Sequence, residues 1–239
     1  MHSQSKIHQQ NEPLTNLIAC QRPWCGRLVD RLQKKTTSTF QLITDKALLN
    51  LNYLDQLAPE YIFFPHWSNI IPAAVYENFQ CVIFHMTDLP YGRGGSPLQN
   101  LIVQGHQQTV ISAIRCVREL DAGPIYLKWP LSLLGNAEEI YIRANELIEE
   151  MIVEILKERP VPRQQVGEVV RFKRRKPEQG DWSTVQSLEE VFDYIRMLDA
   201  EGYPPAFVKV GPFRLEFTRA SRRTNHIHAD VKIIDEREQ

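Results

Sequence analysis

The sequence predicts an α/β chain: a mostly parallel sheet flanked by helices, followed by a small C-terminal α+β extension. Three observations lead there. Short apolar runs alternate with amphipathic segments through the first two-thirds of the chain, the pattern of βαβ units wound right-handedly. Two of those runs, Tyr61–Phe64 and Cys81–Phe84, are continuous and uncharged, as expected for strands covered on both faces. After Pro160 and Pro162 the composition changes and strand-like runs cluster. The predicted division is a mobile tail over residues 1–15, a core over 16–160 and a C-terminal subdomain over 161–239.

The elements follow in order. Asn16–Cys20 reads as a short strand. Cys25–Lys35 carries Leu28, Val29 and Leu32 at helical spacing. Thr39–Thr44 is a strand and Leu48–Leu57 a short helix stopped by Pro59. Tyr61–Phe64 and Cys81–Phe84 are strands. Pro97–Gln104 is a helix whose start is signalled by Ser96 at the N-cap and Pro97 at the first helical position. Thr109–Arg118 and Pro124–Leu127 are strands. Ala137–Lys157 is the clearest helix, with Ile140, Ala144, Leu147, Ile148, Met151, Ile152 and Ile155 on a wide apolar face. Beyond it come a strand over Val169–Arg175, a helix over Leu188–Leu198, and strands over Phe207–Val210, Phe213–Phe217 and Ile227–Ile234. Gly211-Pro212 marks a hairpin or tight turn.

Bulk properties exclude several classes. The 239 residues suffice for one sizeable domain and an appendage. A formal net charge of −1 gives no overall field for nucleic acid, which is not an expected partner. No apolar run approaches the roughly 20 residues of a membrane span, and the first residues lack a signal core, so a cytoplasmic protein is expected. Cys20, Cys25, Cys81 and Cys116 form no CxxC pair and read as buried free thiols. Only His226 and His228 are closely spaced, with no cysteine or carboxylate cluster beside them, so no metal site is expected.

Two segments carry chemistry. In residues 81–105 an apolar strand runs into His85, a glycine-rich loop follows, and a helix begins. Ligands of such sheets bind beyond the strand ends, which places His85 at the mouth of the sheet. Gly92, Gly94 and Gly95 let backbone approach a ligand closely, and Arg93 offers a fork for an anion; the plain alternative is a tight turn with an exposed arginine. In residues 116–127, Asp121 precedes Ala122-Gly123. An aspartate in a turn often only bonds its own backbone. What raises both residues is their joint placement after two strands of one parallel sheet.

Taken together, His85, Leu89-Pro90, Arg93-Gly94 and Asp121-Ala122-Gly123 resemble the folate-dependent formyltransferases, and the resemblance runs over about residues 16–160. It implies a Rossmann-like formyltransferase core, with Ile70-Ile71-Pro72 matching the loop that holds the pterin. One departure stands out: the family's asparagine two positions before the histidine is Ile83 here, which cannot donate a hydrogen bond to an oxyanion. Asn69, Asn100, Thr87 or a backbone N–H are the alternatives. In the C-terminal part, residues 172–182, Ile195-Arg196 and Tyr203-Pro204-Pro205-Ala206-Phe207 resemble elements of sugar and methionyl-tRNA formyltransferases. The stretch from His85 to Ile102 looks most like formyltransferases of bacterial surface-sugar and nonulosonic acid pathways, such as that of pseudaminic acid.

The resemblance implies N10-formyltetrahydrofolate as donor and a nucleotide-linked amino sugar as acceptor. His85 would stabilise the oxyanion, and Asp121 would orient the imidazole and help remove the amine proton. Backbone groups of Ser68, Asn69 and Ile70, with those of Cys116, Val117 and Arg118, would bracket the pterin. Arg93, Gly94, Asn100 and Trp182 would face the acceptor, although Trp182 and the basic run Lys173–Lys176 also read as ordinary packing and solvated surface. A homodimer through the C-terminal strands is a further expectation. The alternatives are methionyl-tRNA as acceptor, hydrolysis of the formyl donor, and a binding protein disabled by Ile83. No GxGxxG opens the first helix, so a dinucleotide site has little support.

Overall fold

A computed structural model describes residues 14–238, which divide between Cys81 and Val82 into two compact units. In the first, β1 (Thr15–Ala19) leads through α1 (Gly26–Lys35) to β2 (Thr39–Ile43), and through α2 (Leu51–Leu57) to β3 (Tyr61–Phe64), before α3 (Ala73–Asn78). β1 lies between β2 and β3 and pairs parallel with both. Leu17, Ile18, Ala19, Ile62, Phe63 and Phe64 are wholly buried, the state that makes an uncharged run stable in a strand flanked on both faces. α1 buries Leu28 and Leu32, one turn apart on one side.

The second unit opens within β4 (Cys81–His85), at Val82, and continues with the two-residue β5 (Arg93–Gly94) and α4 (Pro97–Val103). β6 (Gln108–Arg115), β7 (Ile125–Ser132) and the long α5 (Ala137–Glu158) follow, then the two-residue β8 (Arg171–Phe172) and α6 (Leu188–Leu198). β9 (Ala206–Val210), β10 (Phe213–Arg222) and β11 (Ile227–Asp235) form an antiparallel sheet in the order β11-β10-β9. α5 starts with a reciprocal capping box between Asn136 and Glu139, which satisfies two of its orphan N–H groups. Its apolar face buries Ile140, Ala144, Ile148, Met151, Ile152 and Ile155, as its periodicity predicts.

The α/β class and the small C-terminal sheet agree with expectation, and Tyr61–Phe64 and Leu188–Leu198 keep their expected bounds. Several expectations are corrected. β4 and β6 pair antiparallel, as do β6 and β7, so His85 and Asp121 do not follow two parallel strands; a hairpin joins β6 to β7, and a short link can only return the chain antiparallel. β6 ends at Arg115, which leaves Cys116, Val117 and Arg118 in the loop. α3 was not anticipated, since six residues are too few for a visible period. The tail expected over residues 1–15 lies outside the described residues up to residue 13, and Thr15 belongs to β1. Cys20 and Cys25 are joined in a disulfide, so the expectation of buried thiols holds for Cys81 and Cys116 and not for that pair. Ser96 does not cap α4 with its side chain; it has a φ of +51° and its hydroxyl accepts from the Arg175 N–H at 3.0 Å. No helix among the described residues is long and apolar enough to cross a membrane.

Candidate active site

The second unit brings His85 and Asp121 together. His85 ends β4 and is 6% exposed; Asp121 sits in the β6–β7 loop and is 7% exposed. The imidazole Nδ1 lies 3.6 Å from Asp121 Oδ1, beyond hydrogen-bond distance but within reach of an ion pair. The other ring nitrogen, Nε2, is 2.8 Å from the Gly92 carbonyl. A carbonyl only accepts, so Nε2 carries a hydrogen and Nδ1 is the atom left facing the carboxylate.

The glycine loop supplies the frame. Gly92 and Arg93 both donate their N–H to the Val170 carbonyl, at 2.9 and 3.0 Å, and β5 pairs parallel with β8. Gly94 has a φ of +113°, and a Cβ there would stand 2.3 Å from the Phe172 carbonyl oxygen; only glycine permits that approach. The Gly94 N–H donates to Asp121 Oδ2 at 2.9 Å. Asp121 therefore has one oxygen turned to the backbone and the other to His85. Next to this pair, burial and then the Asp121 charge push the Cys116 thiol up to about 12, so it stays protonated at neutral pH and is no nucleophile.

The remaining predicted residues fall as follows. Arg93 is not an exposed fork. It is 8% exposed, its Nε and Nη2 bond Gln165 Oε1 at 3.0 and 2.8 Å, and its Nη1 lies 3.3 Å from Glu119. Asn100 donates to the Gly95 and Lys173 carbonyls, both at 3.0 Å, and clamps the loop. The Thr87 hydroxyl reaches the Gly92 carbonyl at 3.4 Å. Trp182 packs edge-on against Phe217 and donates its backbone N–H to Phe207. Ser68, Asn69 and Ile70 belong to the first unit, in the loop after β3, where Asn69 Nδ2 donates to Gln21 at 2.8 Å. Ile83 is half-buried and opposite Ile114 in the ladder. The amides of Asn69 and Asn100 and the Thr87 hydroxyl are thus engaged elsewhere, and none is bonded to His85 or Asp121.

Gln165, Glu119 and Arg171 were missed. Gln165 donates to the Asp121 and Gly123 carbonyls, each at 2.8 Å. Glu119 joins Arg93 to Arg171, at 3.3 and 2.6 Å. Gln165 stands in an exposed stretch without periodicity, and no sequence signal marks it.

A profile of the family described as formyl transferase matches residues 16–156, and one described as methionyl-tRNA formyltransferase, C-terminal domain, matches residues 177–234. The chain belongs to the formyl transferase family. Among solved structures it is similar to a methionyl-tRNA formyltransferase from Clostridium thermocellum, with 50% identity and a TM-score of 0.90 over 93% of this chain and 99% of that one. A methionyl-tRNA formyltransferase of Thermotoga sp. (strain RQ2) is 32% identical over 110 residues, 44% of this chain and 35% of the relative. The chain spans roughly a third to a half of the first curated relatives it matches. A sugar N-formyltransferase from Shewanella sp FDAARGOS_354 shares the fold at 13% identity, with a TM-score of 0.68 over 89% of this chain and 99% of that one.

Proposed function

We propose that the protein transfers a formyl group from N10-formyltetrahydrofolate to a primary amine, and that this amine belongs to methionyl-tRNA. The observation that carries the transfer reading is the buried His85–Asp121 pair, with Nδ1 and Oδ1 3.6 Å apart and the aspartate tied by its other oxygen to Gly94. The acceptor nitrogen attacks the formyl carbon, a C–N bond forms, and the bond from that carbon to N10 breaks as N10 takes a proton. His85 offers a hydrogen-bond donor to the oxygen that gains negative charge, and Asp121 balances the imidazolium and accepts the proton shed by the amine. Ile83 supplies no donor, which places the whole side-chain share of that stabilisation on His85. Within the second unit, the backbone of Cys116, Val117 and Arg118 remains our proposed folate contact. Gly94, Asn100 and Trp182 remain proposed near the acceptor, whereas Arg93 works as an internal anchor.

The acceptor reading departs from the nucleotide sugar expected above. It is supported by 50% identity over nearly the whole chain to a structure named as a methionyl-tRNA formyltransferase, and by the match of residues 177–234 to that enzyme's C-terminal domain. A sugar acceptor keeps support from the segment His85–Ile102 and is the second reading. We also keep the core at 16–160 and the C-terminal subdomain at 161–239 as a proposal, supported by where the two family matches fall. The test is tetrahydrofolate release, followed by absorbance, with methionyl-tRNA and with a panel of nucleotide-linked amino sugars. Turnover with methionyl-tRNA that is lost in His85→Ala and weakens steeply with added salt is the expected result, since phosphate contacts release counterions. Turnover with a sugar alone would replace the acceptor. Turnover that His85→Ala leaves intact would remove the site.

A further inference from the structure

We infer that Gln165 is a positioning residue for the transfer reaction: its side-chain amide holds Asp121 toward His85 by tying the Asp121 loop to the Arg93 loop. The inference rests on reading His85 and Asp121 as the reacting pair.

Asp121 has a φ of +53°, a left-handed conformation that a short polar side chain tolerates but that persists where its surroundings support it. Gln165 gives that support. Its Nε2 has two hydrogens, and they go to the carbonyls of Asp121 and Gly123, each at 2.8 Å. Its Oε1 has two lone pairs, and they take Nε and Nη2 of Arg93 at 3.0 and 2.8 Å. Every hydrogen-bonding capacity of the amide is used, so one orientation alone satisfies all four partners. Arg93 immediately precedes Gly94, whose N–H binds Asp121 Oδ2. A closed ring results, running from the Asp121 carboxylate through Gly94, Arg93 and Gln165 back to the Asp121 carbonyl. Rotation of either loop breaks it.

Gln165 is itself located by backbone on both sides. Arg163 exchanges hydrogen bonds with Ile125 at 2.7 and 2.9 Å, and the Val170 carbonyl accepts from Gly92 and Arg93. One anchor is the first residue of β7, which follows the Asp121 loop, and the other is the glycine loop that carries Arg93. The segment therefore holds the reacting pair from outside without contributing a reacting atom.

Two substitutions separate this role from a plain structural anchor. Gln165→Glu keeps an acceptor for Arg93 and adds an attractive charge, but it removes both donors to the Asp121 loop and turns an oxygen toward two carbonyl oxygens. Gln165→Leu removes both halves of the link. If Gln165 positions Asp121, both variants stay folded by circular dichroism, keep KM for both substrates close to the wild-type value, and lose about 100-fold in kcat, the scale expected for a misplaced catalytic group. Wild-type kcat in Gln165→Glu would overturn the inference. A second readout is independent of turnover. In long-range 1H–15N spectra, the His85 ring signals, identified by their loss in His85→Ala, should move in Gln165→Glu without substrates. Unmoved signals overturn the inference. A wild-type enzyme that formylates no amine sinks the functional reading instead, and the ring signals still decide the role of Gln165.

Discussion

At the scale of single residues, the site works by limiting what each polar atom can do. Asp121 tolerates its positive φ because a short polar side chain is the kind that does, and Asn shares that tolerance. Asp121→Asn should therefore keep the loop while removing the charge opposite His85 Nδ1. We expect an unchanged thermal midpoint and a loss of at least ~100-fold in kcat at saturating substrate; a rate near wild type would show that the carboxylate charge is dispensable. Cys116 gives a second prediction. Burial, and then the Asp121 charge, push its thiol up from 9.0 to about 12 in the folded chain. Between those values the folded state holds a proton that the unfolded state has lost, so stability falls as pH rises through that window and is unaffected below it. The thermal midpoint of the wild type should drop more steeply from pH 9 toward 12 than that of Cys116→Ala. His85 and Asp121 were legible because strand ends and glycine turns flank them in sequence. Arg93 was legible as important but not in its use: nothing local says that a guanidinium beside three glycines is buried, because its partners lie 26 and 72 positions away. The disulfide between Cys20 and Cys25 was hidden for a related reason, since a spacing of five says nothing about whether the two sulfurs face each other.

Among elements, the β6–β7 hairpin decides the geometry of the site. It turns back through Gly123, where a Cβ would fall 1.7 Å from the Arg115 carbonyl oxygen, and backbone cannot yield by that much. Gly123→Ala should force the loop open, displace Asp121, and lower both stability and activity. Urea unfolding should report a loss of about 1–3 kcal/mol, the range for strain imposed on backbone, and an unchanged urea midpoint would contradict the packing described. The helices were readable in advance because a 3.6-residue period and its caps are written locally: α5 and α6 both open on capping boxes. Strand direction was not readable. β6 and β7 carry runs that would suit a parallel or an antiparallel ladder, and the nine residues between them decide the matter. β8 was expected as a seven-residue strand and is two residues long, because its pairing stops where Phe172 meets Gly94 and the chain turns to Ser96 and Asn100.

For the whole molecule, the boundary we propose after residue 160 is one that hydrogen bonds cross. Within the second unit, residues 163–175 bind the β6–β7 hairpin at Ile125, the Asp121 loop through Gln165, the glycine loop through Val170 and Phe172, and the start of α4 through Lys173 and Arg175. α6 adds Arg196, which is buried and donates to the Leu133 and Gly135 carbonyls at 2.6 and 2.9 Å. A chain cut after residue 160 should consequently lose transfer activity even where its strands and helices persist, and one that retained wild-type kcat would show that the loops stand by themselves. The two family matches leave residues 157–176 between them, a region that would ordinarily be treated as a spacer. For anyone building hybrids, the stretch behaves as a buckle fastened to the His85 and Asp121 loops. A donor C-terminal part grafted at residue 160 would arrive with a foreign buckle fastened to native loops, while a junction placed after residue 176 would carry the native one along and exchange only α6 and the C-terminal sheet.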